Sequence, residues 1–353
     1  MTIYNNKMNV DDINVFTLIS VCWKRKLLIL IITSISVLIS VAYALLVQQW
    51  WTADSIIIKG NQFSSSIIKE QLPNLYVALN DVDNKDINKL NNLLEPEVIF
   101  KKYVTQFNAY NNKVDFIRNN KELHAISVEN GVSTELDISK FEETWAKKIS
   151  ASVLDPKFPN EYTLKFTATT PELSAKLLKD YSLIISNEIK REIFHALSVL
   201  INNVKTENLI MYSSLVKNAQ SQRDIEIFKT KNALLISKSA GVIKPISDMG
   251  NQLFPIDIGS KGLEEQLKIL KVMDDYSFFD SNIEQVQNKI DLLSSMKLDE
   301  NIQFKGYQTL KNISVPSNRD APNRKLIVFI GLLIGFLLSL LTVFSLECKN
   351  TKE

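Results

Sequence analysis

Two uncharged apolar runs, one near each end of the chain, constrain this sequence more than any other feature. Leu27 to Val47 and Leu326 to Leu346 each hold 21 residues without a charged side chain. At ~1.5 Å of rise per residue, each spans roughly 31 Å as a helix, the thickness of a bilayer's hydrocarbon core. A buried core helix would be shorter and would carry a polar face. Both runs are therefore expected to cross a membrane. Ala42-Tyr43-Ala44 resembles a leader cleavage site. The apolar stretch exceeds the usual ~7–15 residues of a leader and continues through Leu45-Leu46-Val47, so an uncleaved anchor is expected.

The flanks give an orientation. Lys24, Arg25 and Lys26 sit directly before the first span, while Gln48-Gln49-Trp50-Trp51 follows it with no charge until Asp54. Basic residues stay on the cytoplasmic side and tryptophan prefers the interface, so the N-terminus is expected inside. The second span is ambiguous by this rule, because Arg319, Arg324 and Lys325 precede it and Lys349 and Lys352 follow. The first helix usually dominates. The expected layout is a cytoplasmic tail 1–26, a span 27–47, an outer domain 48–325, a span 326–346 and a cytoplasmic tail 347–353. Cys22 and Cys348 fall at the inner ends of the spans, so disulfides do not hold the outer domain. That domain is close to charge-balanced, which argues against nucleic acid as a partner.

Within the outer domain, Ser55 to Ile58 reads as a strand. Tyr162 to Ala168 alternates, with Tyr162, Leu164, Phe166 and Ala168 on one face. Residues 61–125 read as mostly helical, with breaks at Pro73 and Pro96. Ile302 to Leu310 is a weaker strand candidate. Thr170-Pro171-Glu172 is a helix start, with a capping hydroxyl, proline at the first helical position and an acid in the first turn. The next glycine or proline is Gly241, a plausible C-cap. A helix across that interval would be ~100 Å long. A compact domain of this size has a radius of gyration of only about 19 Å. Either the helix breaks at a soft spot such as Asn202-Asn203, or it extends beyond a compact globule. The stretch from Asn202 to Asn232 is polar enough to need neighbours, and copies of the same chain would supply them. Shorter helices are expected from Leu263 to about Tyr276 and from Asn282 to about Lys297. The fold class is therefore α+β: two terminal spans flank a membrane-proximal mixed α/β base with a very long extended helix.

The search for chemistry returns no catalytic constellation. His124 and His195 are the two histidines, far apart and without a second ligand at motif spacing. No G-x-x-x-x-G-K-[ST] loop or G-x-S-x-G elbow is present. Glu142-Glu143, Glu264-Glu265 and Asp274-Asp275 read as solvated faces, although a carboxylate pair of the glycosidase kind need not be adjacent in sequence. No cofactor or metal is expected. The spans carry a more specific pattern: Gly331, Gly335 and Ser339 recur every four residues, as do Ser36, Ser40 and Ala44. Small residues on one face allow close helix packing in lipid. These six residues are the candidate packing or partner-binding positions. Gly335→Leu is expected to disturb that packing, and Gly335→Ala to disturb it less.

From Val10 to Trp51 the chain resembles the opening of the Wzz chain-length determinants, a class of polysaccharide co-polymerases. Trp23-Lys24-Arg25-Lys26 stands where the family has Trp-x-x-Lys, and Trp51-Thr52-Ala53 is similar to its first strand after the span. Phe254-Pro255 and Gly259-Ser260-Lys261-Gly262-Leu263-Glu264-Glu265 are similar to the segment beyond the family's long helix. Ser314 to Lys325 resembles its proline-rich lead into the second span, with Pro316, Arg319, Asp320 and Pro322 as the linker motif. That lead is usually richer in proline. Kinase-bearing relatives carry an ATP-binding domain after the second span, and none is expected here, where seven residues follow Leu346.

The resemblance implies a bacterial inner-membrane protein whose periplasmic domain forms a homo-oligomeric ring. It implies a regulator without catalytic activity of its own, acting with a separate membrane polymerase on the chain length of lipopolysaccharide O-antigen. The growing lipid-linked polysaccharide is a further candidate partner. Enterobacterial common antigen as the regulated glycan, and a scaffold of a different envelope complex, stay open as alternatives. A polysaccharide-modifying enzyme would need convergent carboxylates, and a sensor would need a cytoplasmic output domain.

Overall fold

The computed structural model describes residues 23–60, 62–79, 84–246 and 253–350. Val10 to Cys22 of the family-like opening lie outside them. The elements in chain order are α1 (Lys26–Leu46), β1 (Trp51–Lys59), α2 (Gln62–Lys69), α3 (Pro73–Leu79), α4 (Asn84–Leu93), α5 (Pro96–Asn108), α6 (Tyr110–Asn119), α7 (Lys121–Glu129) and α8 (Glu135–Ala146). There follow β2 (Ile149–Asp155), β3 (Phe158–Ala168), α9 (Pro171–Ser239), α10 (Gly259–Val272), a 3-10 turn (Tyr276–Phe278), α11 (Asn282–Ser295), β4 (Tyr307–Lys311) and α12 (Arg324–Asn350). The class is α+β and mostly helical, as the sequence implied.

The chain divides into two compact units. The first takes residues up to 58, 106–183 and those from 309 onward; the second takes 59–105 and 184–308. The four-stranded sheet has the order β2-β3-β1-β4, with β3 antiparallel to both β1 and β2. On β1 the residues Ala53, Ser55 and Ile57 are buried, and β3 buries Leu164, Phe166 and Ala168 as the alternation predicts. Thr163, placed on the opposite face, is buried too. In the first unit α6, α8 and the start of α9 supply Val114, Phe116, Ile117, Trp145, Leu177, Leu178 and Tyr181 to the core. Phe116 meets Phe166 edge-on at 6.0 Å between ring centres and Tyr181 at 5.1 Å. The Tyr181 hydroxyl, deep in that core, donates to Phe107 O at 2.9 Å, so its polar end is not stranded.

In the second unit α3, α4 and α5 bury Leu75, Leu79, Leu90, Ile99 and Phe100, and α11 packs on α3 with Ile283, Val286, Ile290 and Leu293 inward. Pro73 and Pro96 stand at the first position of their helices, where the missing N–H costs nothing. They are starts as much as breaks.

The long helix is continuous for 69 residues, through Asn202-Asn203. The Leu173 amide donates to the Thr170 hydroxyl at 3.2 Å, the expected N-cap. At the other end Gly241 has φ 72°, and the Val242 and Gly241 amides donate to Ser237 O and Lys238 O. That is a Schellman closure, and the left-handed residue it requires is a glycine. Up to Ile201 the helix buries an aliphatic face including Ile185, Ile189, Ile193 and Leu197. Beyond it the buried positions become smaller and more polar: Val204, Asn208, Ala219, Thr230, Ala233 and Ser237. Leu209, Ile210, Met211, Ile225 and Phe228 are exposed. A small cluster of Ala233, Ile256 and Leu263 with Leu234, Val242 and Phe254 closes the far end.

Several elements differ from expectation: β1 begins at Trp51 rather than Ser55, β3 at Phe158 rather than Tyr162, and α10 ends at Val272 rather than near Tyr276. β2 was not anticipated, because Ile149–Asp155 does not alternate cleanly. β4 begins at Tyr307, five residues later than expected. Helix α10 starts at Gly259 rather than Leu263 because Gly259 takes φ 70° against the carbonyls of Ile243 and Lys244.

Candidate functional site

The two apolar helices α1 and α12 pack directly on each other within the first unit. Ala44, near the end of α1, accepts a hydrogen bond on its carbonyl from Arg324 Nε, at the start of α12, at 3.2 Å. About two turns away Ser36 Oγ donates to Gly331 O at 2.8 Å. The pairing runs in opposite directions along the two segments, so the helices are antiparallel.

Gly331 and Gly335 make this approach possible. A Cβ built on Gly331 would lie 1.8 Å from Ser40 Oγ and 2.5 Å from Ser40 Cβ. One on Gly335 would lie 2.6 Å from Ser36 Cβ and 3.2 Å from Thr33 Cα. Alanine at Gly335 would itself meet a Cβ and a backbone atom, neither of which can swing aside, and the larger leucine would meet them harder. The structure thus brings Gly331, Gly335, Ser36 and Ser40 together. Ala44 is buried at the end beside Arg324, and buried Ser339 turns its hydroxyl to Phe336 O of its own helix. Thr33 was missed, since the four-residue pattern of Ser36, Ser40 and Ala44 steps past it.

An isolated antiparallel bridge joins the segment after α1 to the segment before α12. The Trp50 amide donates to Ala321 O at 2.9 Å, and the Asp320 amide donates to Trp50 O at 3.0 Å. The linker residues therefore act here through backbone: Asp320 lends its N–H while its side chain stays exposed, and Pro322 follows a cis peptide bond. Arg319 and Pro316 are half-buried in the same segment. The Trp50 ring meets buried Trp145 edge-on at 5.8 Å, and the Lys148 ammonium stands 3.3 Å from the Trp50 ring centre. Burial pushes the Lys148 amine below its ordinary value. Neither contact was legible in the sequence, because about a hundred residues separate the partners.

Glu142 departs from its reading as part of a solvated face. It is buried and accepts from Arg118 Nε at 2.5 Å and Nη2 at 3.0 Å, while Glu143 is exposed and pairs with Lys147. The other paired carboxylates have local partners: Glu264 with Lys238, Glu265 with Lys268, and Asp275 with the Ser277 amide. His124 and His195 are exposed helix residues. Among the described residues no three His, Cys, Asp or Glu side chains are placed to hold a metal. A groove of about 480 Å³ lies along α9 between Lys217 and Phe228. All its lining residues sit on that one helix, so it offers a face and not a set of convergent groups.

An antiparallel pair of apolar helices, a four-stranded sheet with antiparallel pairing and a continuous 69-residue helix together define a class. A full-length bacterial polysaccharide co-polymerase has the same fold, with a TM-score of 0.65 at 17% identity over 97% of this chain and 99% of that one. The wild-type Shigella flexneri lipopolysaccharide O-antigen chain-length regulator WzzBSF matches with a TM-score of 0.52 at 16% identity, over 76% of this chain and 100% of that one. The resemblance to the Wzz family holds: residues 11–127 match the family described as Wzz, chain length determinant protein. Among sequence relatives, the ferric enterobactin transport protein FepE of Escherichia coli (strain K12) is 21% identical, over 92% of this chain and 86% of that protein.

Proposed function

We propose that this chain sets the modal length of lipopolysaccharide O-antigen as a homo-oligomeric, non-catalytic co-polymerase beside a separate membrane polymerase. It sits in the bacterial inner membrane with both termini cytoplasmic and residues 48–325 periplasmic. The observation that carries this reading is the co-polymerase fold closed by a tightly packed antiparallel pair of apolar helices. The Wzz match over the N-terminal third supports it. Self-association is supported by α9, whose exposed Leu209, Ile210, Met211, Ile225 and Phe228 lack cover within the chain. The polymerase and the growing lipid-linked polysaccharide are the partners that a regulator of polymer length has to meet.

The test is deletion of the gene and complementation with it, reading the lipopolysaccharide ladder on a gel. The expected result is loss of a modal band cluster on deletion and its return on complementation. An unchanged O-antigen ladder would refute the reading. The enterobacterial common antigen ladder, measured in the same strains, separates regulation of that glycan from regulation of O-antigen.

A further inference from the structure

Trp50 is four residues past Leu46, the last residue of α1, and its backbone is bonded to Ala321, three residues before α12 begins. Four extended residues reach at most ~14 Å. The headgroup layer beside each face of the hydrocarbon core is about 5–8 Å thick. Trp50 is thus held within or beside that layer by both helices at once. The sheet and α8 then deliver Lys148 onto its ring, 3.3 Å from the centre. Lys148 is half-buried, and among the described residues no carboxylate pairs with it. Its neighbour Lys147, by contrast, is exposed and neutralised by Glu143. Arg324, a further cation near this level, already has a protein acceptor in Ala44 O. The Lys148 ammonium has a ring face on one side and spare donors on the other.

We propose that Lys148 and Trp50 form a binding site for the phosphate of an anionic phospholipid headgroup, in the leaflet that faces the outer domain. The ring face stabilises the cation and fixes its position, the ammonium supplies charge-assisted donors to phosphate oxygen, and the indole sits at the depth tryptophan prefers. The site would lock the height of the base against the membrane. The inference rests on both apolar helices crossing the bilayer and is independent of which glycan is regulated.

The test uses the full-length chain, purified in mild detergent with added phosphatidylglycerol and examined by native mass spectrometry for retained lipid. Lys148→Met keeps the stem and loses the charge; it should lower retention roughly fivefold, the weight of one basic side chain at an anionic surface. Lys148→Arg should restore retention, and Lys147→Met should leave it unchanged. Excess inorganic phosphate should not displace the lipid. If Lys148→Met does not fold, Trp50→Leu is substituted and must also lower retention. Equal retention in wild type and Lys148→Met, an equal loss in Lys147→Met, or displacement by inorganic phosphate would each overturn the proposal. A normal O-antigen ladder alongside lost lipid would leave the functional reading intact.

Discussion

Arg324 shows how one side chain resolves a puzzle set by its neighbours in sequence. A cation before the second span runs against the usual charge bias. Its Nε is spent on Ala44 O, where the last turn of α1 exposes carbonyls that a cation satisfies. The glycines facing α1 are more demanding. Overpacking a fitted contact costs about 1–3 kcal/mol, so Gly331→Ala should weaken the pairing of α1 with α12 and Gly331→Leu should weaken it more. Ser40→Gly removes the atoms that obstruct the new methyl, so Gly331→Ala with Ser40→Gly should recover most of the loss. The readout is thermal stability in detergent together with the polysaccharide ladder at matched protein level; a double variant no better than Gly331→Ala would show that these two residues do not pack. Two further glycines separate conformation from crowding. Gly241 is left-handed in open space, so Gly241→Ala should cost about 1–2 kcal/mol for the backbone alone. Gly259 is equally left-handed and would also press its Cβ within 2.7 Å of Ile243 O, so Gly259→Ala should lower the melting temperature further.

The long helix shows the difference between permission and stabilisation at the level of an element. The absence of breakers allows 69 continuous residues, and packing makes them stable up to Ile201. Beyond that point its support includes Leu263 of α10 against Ala233, the Lys238–Glu264 ion pair and Arg223 reaching Met273 O and the Tyr276 hydroxyl. Leu209→Pro would remove a ladder bond and push its ring into the preceding turn, at ~3 kcal/mol or more, in the stretch with least cover. Circular dichroism should show lost helix content, and the protein should fall in abundance; unchanged helicity would contradict a continuous α9. Salt links tie the helix to its surroundings: Lys176 to Glu122 and Lys238 to Glu264. Both carboxyls are held below their ordinary value, chiefly by the hydrogen bond from the lysine. A depressed carboxyl contributes stability above its unfolded value, and that contribution is lost as pH falls through the folded one. The melting temperature of the outer domain should therefore hold steady near neutrality and decline below about pH 4.5. Lys238→Met should flatten the part of that decline that belongs to Glu264.

For the whole molecule, the proposed consequence of a thinly covered helix is association. Replacing Ile225 and Phe228 by serine should lower the oligomer mass measured in mild detergent while leaving the melt of the outer domain nearly unchanged, since both side chains are more than half exposed. The modal ladder should broaden in the same variant. An oligomer of unaltered mass would move the interface to another face.

Local signals were legible in the sequence because they are written in consecutive residues. An uncharged run of 21 specifies an apolar helix long enough to cross a membrane, Thr170-Pro171 a helix start, Gly241 a left-handed stop, and the alternation from Tyr162 a half-buried strand. Packing partners distant along the chain left no such mark. Nothing in Glu142-Glu143 says which carboxylate turns inward; Arg118, on a different helix, decides it. The four-residue pattern announces a close-packed face on each span, but the register that sets Gly331 on Ser40 and Gly335 on Ser36 depends on where the sheet and the linker hold the two helix ends. Lys148 becomes a neighbour of Trp50 only once α8 and β2 have packed. Periodicity and breakers determine which elements exist, because they act within a turn or two of backbone. Burial, register and charge pairing are energies of encounter between distant segments, so only the folded chain decides them.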